Sequence, residues 1–185
     1  MNLYPPQRLE VSSSPYMLGP VCDYSISGEL RKENALISKF YDGSLNTREG
    51  ILELQNILLL DDESLGEDPF PLFHNFSNGL YTREIHIPKG YLIIGKIHRN
   101  EHIVHLTKGS LLVADEFGTR KLKAPATFVS KSGVKRVGYI IEDVVWIDIH
   151  RTDAKTVKDV EKEIFVDSYE VLMKESKILK AEDYI

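Results

Sequence analysis

All six histidines of this 185-residue chain lie between positions 74 and 150. Two of them, His98 and His102, stand four apart in GKIHRNEHIVHLTKG, with Lys96 two residues before and Glu101 between. Imidazole and carboxylate are the donors that a divalent first-row metal accepts, so His98 and His102 are candidate metal ligands. Glu101, or Asp148 and His150 from the end of a later apolar run, are the residues that could complete such a site. The same neighbourhood supports a second chemistry. Lys96 and His98 alternate on one strand face, Lys135 and Arg136 follow Gly133, and Tyr139 lies three beyond Arg136. Cationic donors converging this way suit a carboxylate, a phosphate or a nucleotide sugar. A neutral His98 beside Tyr139 could then abstract and return a proton. On this reading His98 and Tyr139 do acid–base chemistry, while Lys96, Glu101, Arg136, Trp146 and His150 bind ligand.

Each of these residues also has a plainer reading. His74, His86 and His105 read as surface or core-edge residues, and Lys135-Arg136 as an ordinary solvated turn. Val145, Ile147 and Ile149 alternate with Trp146, Asp148 and His150, so one face of that strand is apolar and the other polar. The apolar face reads as core. The polar face either lines a cup or meets solvent.

The elements that must position these side chains follow from the rhythm of the chain. Between residues 80 and 152, short β-branched and aromatic runs are punctuated by turn residues. Strands are expected near 80–87, 91–97, 102–107, 110–115, 120–123, 127–130, 136–141 and 144–150, which suits a small double-sheet jelly roll. Residues 1–79 read as an N-terminal arm broken by prolines, with one helix after a Thr47 cap that carries Ile51, Leu54, Ile57 and Leu58. Gly50 sits awkwardly in that helix. The stretch 61–79 reads as an acidic loop that turns apolar around Phe70 to Phe76. Residues 153–185 contain no Gly or Pro and read as a helical tail, with Asp153 capping a helix that carries Val157, Val160 and Ile164 on one face and Ser168 capping a second with Val171, Leu172, Ile178 and Leu179 roughly in register.

Composition narrows the function classes. A net charge of −5 argues against an extended nucleic-acid footprint. The single Cys22 excludes a disulfide framework and fits a reducing compartment, so the cytoplasm is the expected location. No run approaches the roughly 18 apolar residues of a membrane span, and the start lacks a signal-peptide pattern. Phosphate-binding, dinucleotide-binding, nucleophile-elbow and zinc-protease motifs are missing.

The segment PKGYLIIGKIHRNEHIVHLTKGSLLV, followed by KAPATFVSKSGVKRVGYIIEDVVWIDIH, resembles the cupin superfamily over about 88–150. The fold this implies is mainly β: a single cupin-type double-stranded jelly-roll barrel with a partly helical N-terminal arm and C-terminal helices. In the cupin frame Gly90 opens the first motif and Gly109 closes it. His98 then takes the place of the second histidine, Lys96 of the first, and His102 of the glutamate. Lys131-Ser132-Gly133 stands for the Pro-x-Gly of the second motif and puts Arg136 at its histidine. The resemblance implies a divalent metal, Zn, Fe, Mn or Ni, although Lys and Arg at ligand positions cannot donate a lone pair while charged. The run from HNFSNGLYTREIHIPKG to WIDIHRTD is also similar to cupin-like proteins of tailed bacteriophages, which implies host cytoplasm or virion as location. The expected function is binding of a small anionic or polyhydroxy ligand, or a divalent metal, in the cup, with isomerase- or epimerase-type acid–base chemistry. The alternative is a non-enzymatic phage assembly or host-interaction module with a vestigial cup. A homo-oligomer, with a dimer favoured, is expected from the apolar groups of the arm.

Overall fold

A computed structural model describes residues 17–18, 29–60, 64–65 and 70–182. The chain runs β1 (Met17–Leu18), α1 (Glu29–Tyr41), α2 (Arg48–Leu59), β2 (Ser64–Leu65), β3 (Leu72–Ser77), β4 (Leu80–Ile87), β5 (Leu92–Ile94) and β6 (Ile97–His98). It continues through β7 (His102–Asp115), β8 (Gly118–Lys123), β9 (Ala126–Ser130), β10 (Val137–Arg151), α3 (Val157–Ile164), β11 (Phe165–Val166) and α4 (Tyr169–Glu182). The result is mainly β and antiparallel, a jelly roll with helices on its outside and across one end.

Two long strands organise the roll. β7 and β10 pair along most of their lengths, and each turns a corner where the register shifts between Ile140 and Trp146. Before the corner β7 carries β9, and after it β8; β10 pairs with β5 at one end and with β4 at the other. The strands expected at 102–107 and 110–115 are therefore one strand, as are those at 136–141 and 144–150. Gly109, at φ +82°, sits inside the bend rather than in a turn that ends the strand. A Cβ there would lie 2.1 Å from the Asp143 carbonyl oxygen, so the two backbones close only on a glycine. The strand expected at 91–97 is instead broken into β5 and β6. β3, read from sequence as loop, pairs with β4 through the Asn78-Gly79 turn. Its aromatic residues and the Asn-Gly dipeptide are the hairpin signals that the neighbouring acidic run obscured.

The outer face of one sheet is covered by α1 and α2. Phe40, Leu45, Ile51, Leu54 and Leu58 pack on Leu92, Ile94, Leu112, Ala114 and Val137. Thr47 caps α2 by accepting from the Gly50 amide at 3.0 Å, as expected. Ile57 is half exposed and not part of the stripe. Gly50 is explained by contact, since a Cβ there would stand 1.8 Å from the Ser44 carbonyl oxygen. α1 was not singled out from the sequence, although Leu36 and Phe40 stand one turn apart on the face that packs on the sheet.

Inside the roll, Ile85, Ile87, Leu106, Leu111, Val113, Ile140 and Val144 form a second apolar cluster. A third joins Tyr81 to Val160 and Ile164 of α3, which closes that end. The cap of α3 is Thr156, not Asp153: its extended backbone and Oγ, which accepts from the Asp159 amide at 3.2 Å, start the helix three residues later. Ser168 Oγ accepts from the Val171 amide at 3.4 Å at the start of α4. No helix among the described residues is long and apolar enough to cross a membrane.

Candidate metal centre and its cavity

Period-two alternation on three strands builds the site. On β10 the inward side chains are Val144, Trp146, Asp148 and His150, and on β4 they are Tyr81, Arg83, Ile85 and Ile87. In register Val144 meets Ile87, Trp146 meets Ile85, Asp148 meets Arg83 and His150 meets Tyr81. β7 brings His102, Val104 and Leu106 alongside. The polar face of the last strand is thus the interior one. The face expected to be core, Val145, Ile147 and Ile149, is only half-buried, because the cavity lies on the other side of the sheet.

At the polar end three imidazoles converge. His98 from β6, His102 from the start of β7 and His150 from the end of β10 offer ligand atoms that all lie within 4.8 Å of one another. Their rings stack, with centroids 4.0 Å apart for His98–His102, 4.4 Å for His102–His150 and 5.2 Å for His98–His150. Buried rings this close cannot all be charged. Burial first, then the neighbouring imidazoles, holds His98 well below the usual histidine range and His150 down to about 4. Their lone pairs are therefore available near neutral pH. His98 Nδ1 and His150 Nε2 are buried with no hydrogen-bond partner, a state that costs free energy unless something else binds there.

Those orphaned atoms are what a metal centre requires. Two nitrogens bound at about 2.1 Å to one tetrahedral ion stand about 3.4 Å apart, a spacing that modest ring rotations from 4.8 Å would reach. Three imidazoles and an open position are also a donor set that divalent first-row metals take. Beside them Asp148 accepts from Trp146 Nε1 at 2.8 Å and faces His102 Nε2 at 3.5 Å. Burial alone would raise Asp148, but the contact with His102 and the nearby cationic groups prevail and keep it ionised, well below the ordinary carboxylate range. A carboxylate behind a histidine orients the ring and raises its basicity.

The centre opens onto a cavity of about 110 Å³, walled by Ile85, Ile93, Leu111 and Val113 and by Arg83, Lys96, Arg136, Trp146 and Phe165. Arg136 belongs to a second buried network. Fully buried Asp115 accepts from Arg120 at 2.9 and 3.1 Å and from Arg136 Nε at 3.1 Å, while Arg136 Nη1 donates to Ser130 Oγ at 2.7 Å. Two guanidiniums against one carboxylate leave that wall net positive. Lys135, read as part of a solvated turn, is only 6% exposed. Its Nζ donates to the Gly95 carbonyl at 2.9 Å, and burial pulls its ammonium down to about 8.

Of the residues singled out from sequence, His98, His102, Lys96, Arg136 and Trp146 line this cavity, and His150 stacks on the two histidines without lining it. Tyr139 does neither. Alternation turns it away from Ile140 and against the α1–α2 cluster, across the sheet from His98. Glu101 is also outside: its carboxylate is 64% exposed and pairs with Lys131 Nζ at 3.2 Å. The remaining histidines meet local partners, His74 with Tyr81, His86 with Glu84 and His105 with Thr127. Two cavity residues escaped sequence reasoning. Arg83 carried a signal, because it alternates with Tyr81 and Ile85 in YTREIHI. Phe165 carried none, since it reaches the cavity only through the packing of the tail.

No family model matches this sequence, and no curated protein matches it. Among solved structures the chain is similar to a cupin-2 domain containing protein from Shewanella frigidimarina, at 14% identity and a TM-score of 0.36 over 42% of this chain and 76% of that one. KdgF from a Halomonas species is 18% identical, with a TM-score of 0.37 over 44% of this chain and 80% of that one. An RmlC-like cupin family protein with a double-stranded β-helix fold from Methanocaldococcus jannaschii is 12% identical, with a TM-score of 0.38 over 45% of this chain and 79% of that one. These are likenesses of fold, at identities where no ligand or reaction transfers.

Proposed function

We propose that this jelly roll holds a divalent transition metal on His98, His102 and His150 and binds a small ligand with an anionic group in the adjoining cavity. The observation that carries the reading is the convergence of three ligand atoms within 4.8 Å, with His98 Nδ1 and His150 Nε2 buried and unpartnered. Asp148 fixes the orientation of His102, as a carboxylate does behind a ligating imidazole. Arg136, with the net positive charge of its network, and Lys96 attract the anionic end of the ligand. The isoleucine and leucine wall takes an apolar body. A bound ion with an open position would supply Lewis-acid activation of a ligand oxygen or of water.

With Tyr139 across the sheet, the acid–base pair read from sequence reduces to the imidazoles. His98, neutral at pH 7, can accept a proton or a metal but not both through the same nitrogen. The metal reading supplies what its unpartnered Nδ1 lacks.

The test is elemental analysis of untagged protein purified without chelators, beside His98→Ala and His150→Ala. About one metal per chain that either substitution removes is the expected result. A wild-type protein that takes up no Zn²⁺, Mn²⁺, Fe²⁺ or Ni²⁺ on titration would overturn it.

A further inference from the structure

β6, which carries His98, is two residues long and is not paired with the main sheet. Its partner is β11, with Phe165 opposite His98 and Val166 opposite Ile97. A ribbon this short does not hold itself together. What holds it is the next residue. The Arg99 amide donates to the Ile164 carbonyl at 2.7 Å, its Nε to the Glu163 carbonyl at 3.0 Å and its Nη2 to the Phe165 carbonyl at 3.2 Å, while its Nη1 pairs with the Glu175 carboxylate of α4. One guanidinium thus satisfies carbonyls left open at the end of α3 and ties in the following helix. On the other side, the His98 carbonyl accepts from the Gly133 amide at 2.9 Å and the Arg99 carbonyl from Ser132 Oγ at 2.6 Å. The Phe165 ring stands edge-on to the His98 imidazole at 4.9 Å.

We infer that Arg99 is a positioning residue for His98, clamping the segment from α3 to α4 across the polar end of the roll so that the tail and the histidine cluster are assembled together. This rests on the preceding reading only for what His98 is positioned to bind. The geometry of the clamp stands without a metal. Lysine cannot replace Arg99, because a single ammonium does not span two carbonyls and a carboxylate in the plane of a fork.

The experiment uses the full chain, metal-free, with Arg99→Ala, Arg99→Lys and Glu175→Gln. Modification of each histidine by diethyl pyrocarbonate is followed by peptide mass spectrometry, and folding by far-ultraviolet circular dichroism. His98 is expected to react on the order of tenfold faster in Arg99→Ala and Arg99→Lys, and less so in Glu175→Gln, with His86 and His105 unchanged. Titration with Co²⁺ alone is expected to show affinity reduced about tenfold in the Arg99 variants, the range seen when groups supporting metal ligands are lost, with an altered visible spectrum. Folded Arg99 variants with wild-type His98 reactivity would overturn the clamp, whatever Co²⁺ does. If Arg99→Ala unfolds, Glu175→Gln decides by the same readout: a rise specific to His98 supports the clamp, and none overturns it. A wild-type protein that ignores Co²⁺ would remove the metal reading and leave the reactivity comparison to decide the clamp.

Discussion

Along the same strands the interior of the roll changes character within a few residues. On β10, Val144 belongs to an apolar cluster and His150, six positions on, to the imidazole stack; on β4, Ile87 and Ile85 give way to Arg83 and Tyr81. Both ends are buried, yet they are stabilised differently. At the apolar end each residue gains from leaving water, about 1.5–3 kcal/mol for a fully buried aliphatic side chain. At the polar end Arg83, His98, His102, Asp148 and His150 each lose hydration, and two imidazole nitrogens recover no hydrogen bond. A chain selected for stability alone would continue the valine and isoleucine alternation to the end of the strand. On the proposed reading, the polar end is the place where local consistency yields to function.

The sharpest way to break this comparison is to truncate one residue from each end. Leu106→Ala, at a position with no exposure, is expected to lose about 3–4 kcal/mol. His150→Ala in chelator-treated protein is expected to change stability by about 1 kcal/mol or less, because the lost packing is offset by removing an unsatisfied polar atom. Urea unfolding at pH 7.5 measures both, and equal losses would show that the two ends are held in the same way.

The corner between the two arms of β7 comes next. Gly109→Ala forces a Cβ to within 2.1 Å of the Asp143 carbonyl oxygen at a left-handed φ, and a loss of about 3 kcal/mol is expected. A melting temperature unchanged from wild type would contradict the tight crossing.

Acid sharpens the comparison further. His150 titrates at about 4 in the folded chain, against about 6.5 when unfolded. Between those values the unfolded chain takes up a proton that the folded site refuses, so stability falls as pH drops from about 6.5 to 4. At about 1.4 kcal/mol per pH unit the loss reaches about 3 kcal/mol. Denaturant midpoints at pH 7 and 4.5, for metal-free wild type and His150→Leu, read it; the same acid loss in both would place the sensitivity elsewhere.

The smallest effect is at Lys135, a buried cation outside both clusters. Its folded value of about 8 lies below the ordinary lysine value of about 10.4, so the unfolded chain binds the extra proton between them and stability rises with pH across that window. Lys135→Met is expected to gain about 1 kcal/mol at pH 7, the relieved burial being partly offset by the bond lost at Gly95, and to flatten that rise. Destabilisation by Met would show that the carbonyl contact outweighs the burial.

The β elements were legible because period-two alternation and turn residues report backbone geometry directly. The same alternation, read on 144–150, separated the two faces of that strand but assigned the core to the apolar one, whereas the polar face lines the interior. His98 and His102 were found together because they are close in sequence. Tyr139 and Glu101 were misplaced because adjacency in sequence was taken for convergence in space, whereas one residue's shift on a strand moves a side chain to the other face. β3 was missed because the neighbouring acidic run obscured its aromatic and Asn-Gly signals, and α1 because it follows a proline-broken stretch that reads as an arm.

The sequence alone determined a mainly β chain with helical additions, a His98–His102 pair in a strand-rich region and an apolar interior. Those properties are local, set by side-chain type and spacing along the backbone. Tertiary structure alone decided that His150 joins the pair, that Tyr139 leaves the cavity, that Asp115 gathers two arginines, that Phe165 reaches the cavity from the tail, and that Arg99 beside His98 bonds the end of α3. Each depends on strand register, on the corner at Gly109 or on the docking of α3. These are contacts between residues far apart in the chain, and no spacing along it specifies them.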